Sequence, residues 1–395
     1  MKTAAVICEY NPFHLGHAHQ LREMQKHGAV VCIMSGSFTQ RGSAAVLSKY
    51  ERAHLAVANG ADLVLELPFP FSASSGEIFA RGGVSVAAAL GAVDTLCFGS
   101  ETADTKAILT AVSRTESEGF RTALSAYLAE KKNAAYRAAF AEVYRKLYSE
   151  NAVFSGSNDI LGFLYVQALQ KCGSSIVPMA LLRVGEDYNG GGAGFSSATS
   201  IRKMIAEKDV EGLKNAVPAS VFSSITEAVE KGSIADPERF FPLFAASARA
   251  GLLDERDVFD VPRELACRIL SAAVAARSME ELLSLVRTKN FSDSRIRRAM
   301  LTMFFGITAS DVEAVRFTTV LAANEKGREI LSHVRKTAML PILTKPADGK
   351  YLPDDARRAF ALACRADSVW EMLCDVPREG GAMLREHPRM QGLRP

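Results

Sequence analysis

The chain has no Cys-x-x-Cys pair. Its cysteines stand singly at Cys8, Cys32, Cys97, Cys172, Cys267, Cys364 and Cys374, several of them in apolar runs. That excludes a dithiol redox motif and a disulfide framework, and leaves small buried hydrophobes in a reducing compartment. No apolar run is as long as a membrane span, and Met1-Lys2 leads straight into a short apolar run instead of a signal peptide. The expected location is therefore cytoplasmic, with no membrane partner. Charge of one sign is also lacking: 47 Lys and Arg face 44 Asp and Glu, a formal net of +3. Any basic surface must be local. There is no internal repeat, and the one low-complexity run is Gly190-Gly191-Gly192-Ala193-Gly194. Its plain reading is a flexible surface loop; the sharper one is a mobile flap that carries Arg202 toward a ligand.

What is present is an ordinary globular balance, 48% hydrophobic and 23% charged, over enough residues for two or three domains. Five short apolar runs, Ala4–Cys8, Val30–Met34, Leu63–Leu67, Thr95–Phe98 and Ile176–Leu182, read as strands. Helical stretches separate them: His17–Lys26, Lys49–Asn59, Glu77–Ala89 and a long one from Asp104 to Tyr148. This alternation predicts an α/β fold with a parallel sheet and right-handed crossovers. After Lys203 the pattern turns helical, with amphipathic segments at Glu227–Lys231, Pro262–Ala276, Met279–Val286 and Ser294–Phe305. Phe317–Leu321 and Pro341–Leu343 read as strands flanking a helix Glu325–Lys336. The expected division is a catalytic domain over 1–205, a mostly helical domain over 206–376, and a flexible tail over 377–395.

The first strand ends in Glu9-Tyr10-Asn11-Pro12-Phe13-His14-Leu15-Gly16-His17. Asn11-Pro12 breaks the strand, and a helix follows. Ligands of open α/β sheets sit at the carboxyl ends of strands beside helix N-termini, which suit phosphate. Gly16 leaves the backbone open to close approach. His14 and His17 offer donors to oxygens on which charge builds; the plain alternative is two ordinary turn residues. With no third Cys, His or carboxylate at ligand spacing, no protein-held metal is expected. Gln40-Arg41-Gly42 and Lys49 follow the second strand and would face the same crevice, where they could hold phosphate or carboxylate. Asn158-Asp159 precede a helix, where N-capping is the plain reading. A second Ser/Thr-rich turn, Ser196-Ser197-Ala198-Thr199-Ser200-Ile201-Arg202-Lys203, lies downstream. Arg287, Lys289, Arg295, Arg297 and Arg298 form the strongest local positive charge, with Phe291 among them as a base-stacking candidate. Arg295 and Arg298 are three apart and share a helix face. The bland alternative for this cluster is a solvated helix face. A second basic group is Arg328, His333, Arg335, Lys336 and Lys345.

The pair Asn11–His17 and Ser196–Lys203 resembles the signatures of the HxGH nucleotidyltransferase superfamily. Together with Ser35–Gly42, Gly60–Pro68, Phe98–Glu101, Ser157–Gly162, Arg287–Lys289, Ser294–Arg298 and Leu340–Lys345, it resembles the bacterial tRNA(Met) cytidine acetate ligase family over nearly the whole chain. The resemblance implies a Rossmann-like HxGH nucleotidyltransferase domain plus a mostly helical C-terminal region. It implies catalytic roles for His14, His17 and Arg202. It implies an ATP pocket of Ile7, Cys8, Glu9, Tyr10, Asn11, Pro12, Phe13, His14, Gly16, His17, Gln20, Gly99, Asn158, Arg183 and Ser197. It implies RNA contact through Arg287, Lys289, Arg295, Arg297 and Arg298. The implied substrates are ATP, acetate and elongator tRNA(Met), with Mg2+ carried mainly by phosphates. Members of the family usually carry His after the tyrosine that is Tyr188 here, whereas this chain has Asn189. Two rivals remain open at this point: an adenylyltransferase for a small phosphorylated metabolite, and a non-catalytic nucleotide-sensing RNA-binding protein.

Overall fold

The computed structural model describes residues 1–131, 136–149, 156–184, 195–255 and 258–391. Tyr188, Asn189 and the glycine run 190–194 lie outside the described residues. The strands are β1 (Thr3–Cys8), β2 (Ala29–Ser35), β3 (Leu63–Leu67), β4 (Thr95–Ser100), β5 (Val177–Leu182), β6 (Thr318–Ala323), β7 (Ile342–Leu343) and β8 (Arg389–Met390). They form one sheet in the order β5-β4-β1-β2-β3-β6-β7, with β8 also on β6. β1 to β5 run parallel to one another. β2 and β3 are buried throughout and β1 is buried up to Cys8, which is why they read as continuous apolar runs without alternation. β1 lies between β2 and β4. The chain leaves β1 in one direction for β2 and β3, then returns to its other side for β4 and β5. That reversal opens a crevice at the carboxyl ends of β1 and β4.

The helices are α1 (Leu15–Gln25), α2 (Lys49–Ala58), α3 (Gly76–Ala89), α4 (Thr105–Thr115), α5 (Glu118–Glu130), α6 (Tyr136–Tyr148), α7 (Ser157–Lys171), α8 (Ala198–Glu207), α9 (Val210–Ala216), α10 (Ala219–Glu230), α11 (Phe240–Arg249), α12 (Arg263–Ala275), α13 (Met279–Val286), α14 (Asp293–Phe305), α15 (Glu325–Thr337) and α16 (Asp354–Met372). The long helix expected from Asp104 to Tyr148 is in fact broken. α4 stops at Thr115, and the Ser117 hydroxyl caps α5 by accepting from Phe120 N at 3.3 Å. Serine competes for backbone groups and so favours caps over helix interiors.

The C-terminal region is mostly helical, but it is not a separate body. β6 pairs antiparallel with β3, and the Thr318 hydroxyl donates to Glu66 O at 2.7 Å. Trp370 is fully buried and its indole donates to Ala45 O at 2.6 Å. The expected boundary at 205/206 is thus crossed by the sheet itself. Nor is the segment after 376 a loose tail as far as it is described. Glu371 accepts from Gly381 N and Met383 N, Met383 is buried, and β8 adds to β6. Apolar anchors at Met383 and Met390 were too sparse to read as a docked segment.

Candidate active site

β1 delivers the chain into a turn with Tyr10 in the left-handed region (φ 46°) and His14 as the N-cap of α1. His14 Nδ1 accepts from Gly16 N at 3.1 Å, and His17 Nδ1 accepts from His14 N at 3.3 Å. The two rings stack with centroids 3.6 Å apart. Each Nδ1 is an acceptor, so each ring is the neutral tautomer with its proton on Nε2. Burial, assisted by the Arg183 charge, lowers the His14 pKa to about 4. Burial, then His14 and Arg183, push His17 well below its ordinary value. The pair is therefore a fixed set of two neutral Nε2–H donors. Tyr10 and Phe13, both buried, hold His17 from the sides with ring centroids 4.8 and 5.6 Å away. A side chain at Gly16 would meet the His14 ring at 3.0 Å. The glycine therefore makes room for the capping imidazole, not only for a ligand.

The β4 side of the crevice is built by reciprocal bonds. Arg183 N donates to Ser100 O at 2.9 Å, and the Arg183 side chain lies across Gly99, where a Cβ would meet its Cγ at 3.0 Å. The Gln20 amide nitrogen sits 3.9 Å from the same point. Arg183 Nη1 donates to Asn158 Oδ1 at 2.6 Å, and Asn158 Nδ2 donates to Glu101 Oε1 at 2.6 Å. The capping expected of Asn158 is absent. The N-cap of α7 is Gly156, without a side-chain cap bond. The Glu101 carboxylate performs that role from the end of β4, accepting from Asn158 N at 3.1 Å and Asp159 N at 2.8 Å. A capping partner 57 residues away leaves no local sequence signal.

A third wall joins Glu9, Arg41, Arg52 and Arg202. Glu9 Oε1 accepts from Gln40 N at 2.7 Å. Burial raises its pKa, while the Gln40 bond and the charges of Arg41, Arg202 and Arg52 oppose the rise. Arg52 is fully buried and donates to Glu9 O, Ser35 O, Gly36 O and Leu47 O, tying the ends of β1 and β2 together. Arg202, from the first turns of α8, donates to Asn11 O at 2.7 Å. The Asn11 side chain accepts from Val46 N at 2.8 Å. Ser197 is the N-cap of α8, accepting from Ser200 N at 3.2 Å. Ile7 and Cys8 line β1. Ile7 packs on Gly83, and the Cys8 thiol, its pKa raised chiefly by burial, donates to Ile33 O at 3.8 Å.

Lys49 is not in this crevice, contrary to its sequence reading. It is buried against Glu66 (2.8 Å) and Asp367 (2.7 Å). The basic cluster is present but largely paired. Arg287 grips Asp293, Arg297 meets Glu238 at 2.9 Å, and Arg295 lies 3.8 Å from Asp260 and over the Phe291 ring. Arg298 Nη1 donates to Gln40 O at 3.1 Å. Gly42 (φ 73°) lets α14 approach: a Cβ there would lie 2.6 Å from Arg298 N. So the basic helix abuts the loop that carries Arg41. The residues that sequence reasoning missed are Glu101, Arg52 and Asp367. Of these, only Glu101 lies within one of the motifs.

Fold and crevice together define a nucleotidyl transferase, and the HIGH Nucleotidyl Transferase family profile matches residues 1–381. The chain is 34% identical over 373 residues to the tRNA(Met) cytidine acetate ligase of Caldanaerobacter subterraneus subsp. tengcongensis, covering 90% of this chain and 92% of that one. It is 33% identical over 371 residues to the enzyme of the same name from Acetivibrio thermocellus, covering 88% and 89%. The crystal structure of Thermotoga maritima TmcAL bound with alpha-thio ATP matches with a TM-score of 0.90 at 30% identity, over 99% of each chain. Within the nucleotidyl transferases, this enzyme therefore belongs to the tRNA(Met) cytidine acetate ligase family.

Proposed function

We propose that the enzyme uses ATP to activate acetate and transfers the acetyl group to N4 of the wobble cytidine (C34) of elongator tRNA(Met). Acetate is a poor acyl donor because oxide is a poor leaving group. An acetate oxygen attacks the α-phosphorus, a carboxyl O–P bond forms, and the bond to pyrophosphate breaks. The cytidine N4 then attacks the carbonyl carbon, AMP leaves with the electron pair of the C–O bond, and N4 loses a proton. In this reading the Nε2–H groups of His14 and His17 donate to the phosphates as charge develops. Arg183 and Arg202 supply fixed positive charge from opposite walls. The residues from Ile7 to Phe13, with Gly16, Gln20, Gly99, Asn158 and Ser197, shape the ATP pocket. Lys289, Arg295 and their neighbours hold the RNA backbone.

The observation that carries the reading is the pair of stacked, neutral imidazoles at the helix entry, each locked by a backbone N–H on Nδ1. Among the described residues no group of three or more His, Cys, Asp or Glu is placed to hold a metal. Magnesium would therefore arrive on the ATP phosphates, and no step here is routed through it. No helix among the described residues is long and apolar enough to cross a membrane.

Incubation with ATP, labelled acetate and total tRNA tests this. The expected product is labelled N4-acetylcytidine at one anticodon position. Label in a small metabolite, or none in RNA, would overturn the reading.

A further inference from the structure

Residues 100–101 and 158–159 hold each other by bonds in both directions. Asp159 Oδ1 accepts from Glu101 N at 3.1 Å and from the Ser100 hydroxyl, while the Glu101 carboxylate accepts from Asn158 N, Asn158 Nδ2 and Asp159 N. Glu101 is thereby fixed through its backbone and its side chain. Burial opposes its ionisation, but these bonds outweigh it and hold its pKa below the ordinary value. An ionised carboxylate only accepts hydrogen bonds and a guanidinium only donates them. Between the two stands one amide, Asn158. It satisfies both neighbours in one orientation alone, NH2 toward Glu101 and C=O toward Arg183. That is the arrangement found, with both bonds at 2.6 Å. Arg183 is thus fastened at its backbone to Ser100 and at its guanidinium to the Glu101–Asn158 pair.

We propose that Glu101 is a positioning residue for ATP binding: through Asn158 it aims the Arg183 guanidinium across Gly99 toward the two histidines. This rests on the assignment of the crevice to ATP. Glutamine at 101 carries an NH2 that can donate to Asn158 Oδ1 and present the Asn158 NH2 to Arg183, where two donors oppose each other. The influence of Glu101 on Arg183 runs through Asn158.

The test is a double-variant cycle of Glu101→Gln and Arg183→Met, repeated in an Asn158→Ala background. ATP affinity is read by calorimetry, acetate-dependent pyrophosphate exchange is read for KM and kcat, and Tm is followed alongside. Each single variant is expected to weaken ATP binding about tenfold, the scale of one charge-assisted hydrogen bond. KM should carry most of the change. Glu101→Gln should cost almost nothing further in ATP affinity once Arg183 is Met or Asn158 is Ala, while still lowering Tm through the weakened α7 cap. Multiplicative effects of Glu101→Gln and Arg183→Met, or a lowered Tm with unchanged ATP affinity, would reduce Glu101 to a helix cap and overturn the proposal. Absence of acetate-dependent exchange in the unaltered enzyme, with the coupling in ATP affinity intact, would instead sink the acetate reading and leave this one standing.

Discussion

Two polar clusters lie buried near the carboxyl edge of the same sheet, and they are built on opposite rules. In the first, the Lys49 ammonium donates to both Glu66 oxygens and to Asp367, and Ser37 donates to the other Asp367 oxygen. Burial works against the Lys49 charge, but Asp367 and Glu66 outweigh it and raise its pKa. All three donors of the ammonium are spent inside the protein. In the second, His14 and His17 spend only their Nδ1 acceptors on the backbone and keep Nε2–H in hand. A buried cluster that closes on itself joins α2, β3 and α16. One that keeps donors in reserve is prepared for a ligand. Both look alike in sequence, as charged or polar residues after a strand.

The contrast is sharpest where each cluster breaks a different observable. Lys49→Met leaves two buried carboxylates without their cation and should destabilise the fold by about 3–5 kcal/mol. Chemical denaturation measures it, and a decrease under about 1 kcal/mol would show that the carboxylates simply protonate. His14→Asn and His17→Ala should do the reverse. Asparagine is a good N-cap, so the first should hold Tm near its starting value. Each should cost pyrophosphate exchange roughly 10²–10³-fold, the usual effect of removing one preorganised donor, about 2.7–4 kcal/mol. Exchange within threefold of the unaltered enzyme would remove the histidines from the chemistry.

The helical region offers a smaller version of the same distinction. Arg298 is bonded to Gln40 O, and Gln40 N holds Glu9. Charge reversal there should weaken tRNA binding and also lower tRNA-free exchange, by about tenfold if one charge-assisted bond is broken. Reversal at Lys289 and Arg295 should lower tRNA affinity alone. For every phosphate no longer neutralised, the salt dependence should also flatten by a slope of about 0.7 for single-stranded RNA. Titrations against salt, run beside tRNA-free exchange, read both. If Lys289 and Arg295 reversals leave tRNA affinity unchanged, the basic residues between α13 and α14 and at the start of α14 are an ordinary surface.

The pH response offers a further separation. His14 stays neutral in the folded enzyme down to about 4, against an ordinary value of 6.5. The unfolded chain takes up a proton on His14 below 6.5 that the folded chain refuses, so stability falls as pH drops from 6.5 toward 4. It is unaffected by this group above that window. His14→Asn should show a shallower decline of Tm over the same range, and an identical decline would mean that the ring protonates in place.

How much of this was legible follows from the range of each interaction. The five parallel strands and the His14–His17 turn are local patterns, set by apolar runs and a Pro-containing break, and the sequence places them within a residue or two. Beyond Lys203 the helical character was readable, and α12 to α15 fall within a residue or two of their expected bounds, but α10 begins at Ala219, eight residues before its expected start, and α9, α11 and α16 were not singled out. The roles of Glu101 and Lys49 were not, because each depends on partners 57 and 318 residues away in the chain. That the sheet crosses the expected division at 205/206 was hidden for the same reason. Phe317–Leu321 reads as a strand, but nothing in it announces that its mate is Leu63–Leu67.

That last pairing has a consequence for how the enzyme is made. β3 emerges from the ribosome about 250 residues before β6, its sheet neighbour, exists. At roughly 5–20 residues per second, a fully buried strand edge waits on the order of 10–50 s for its cover. Unpaired edges of that kind recruit other strands. The N-terminal half, although it holds nearly every residue assigned to ATP, is therefore a nascent species in need of protection and a poor candidate for a free-standing fragment.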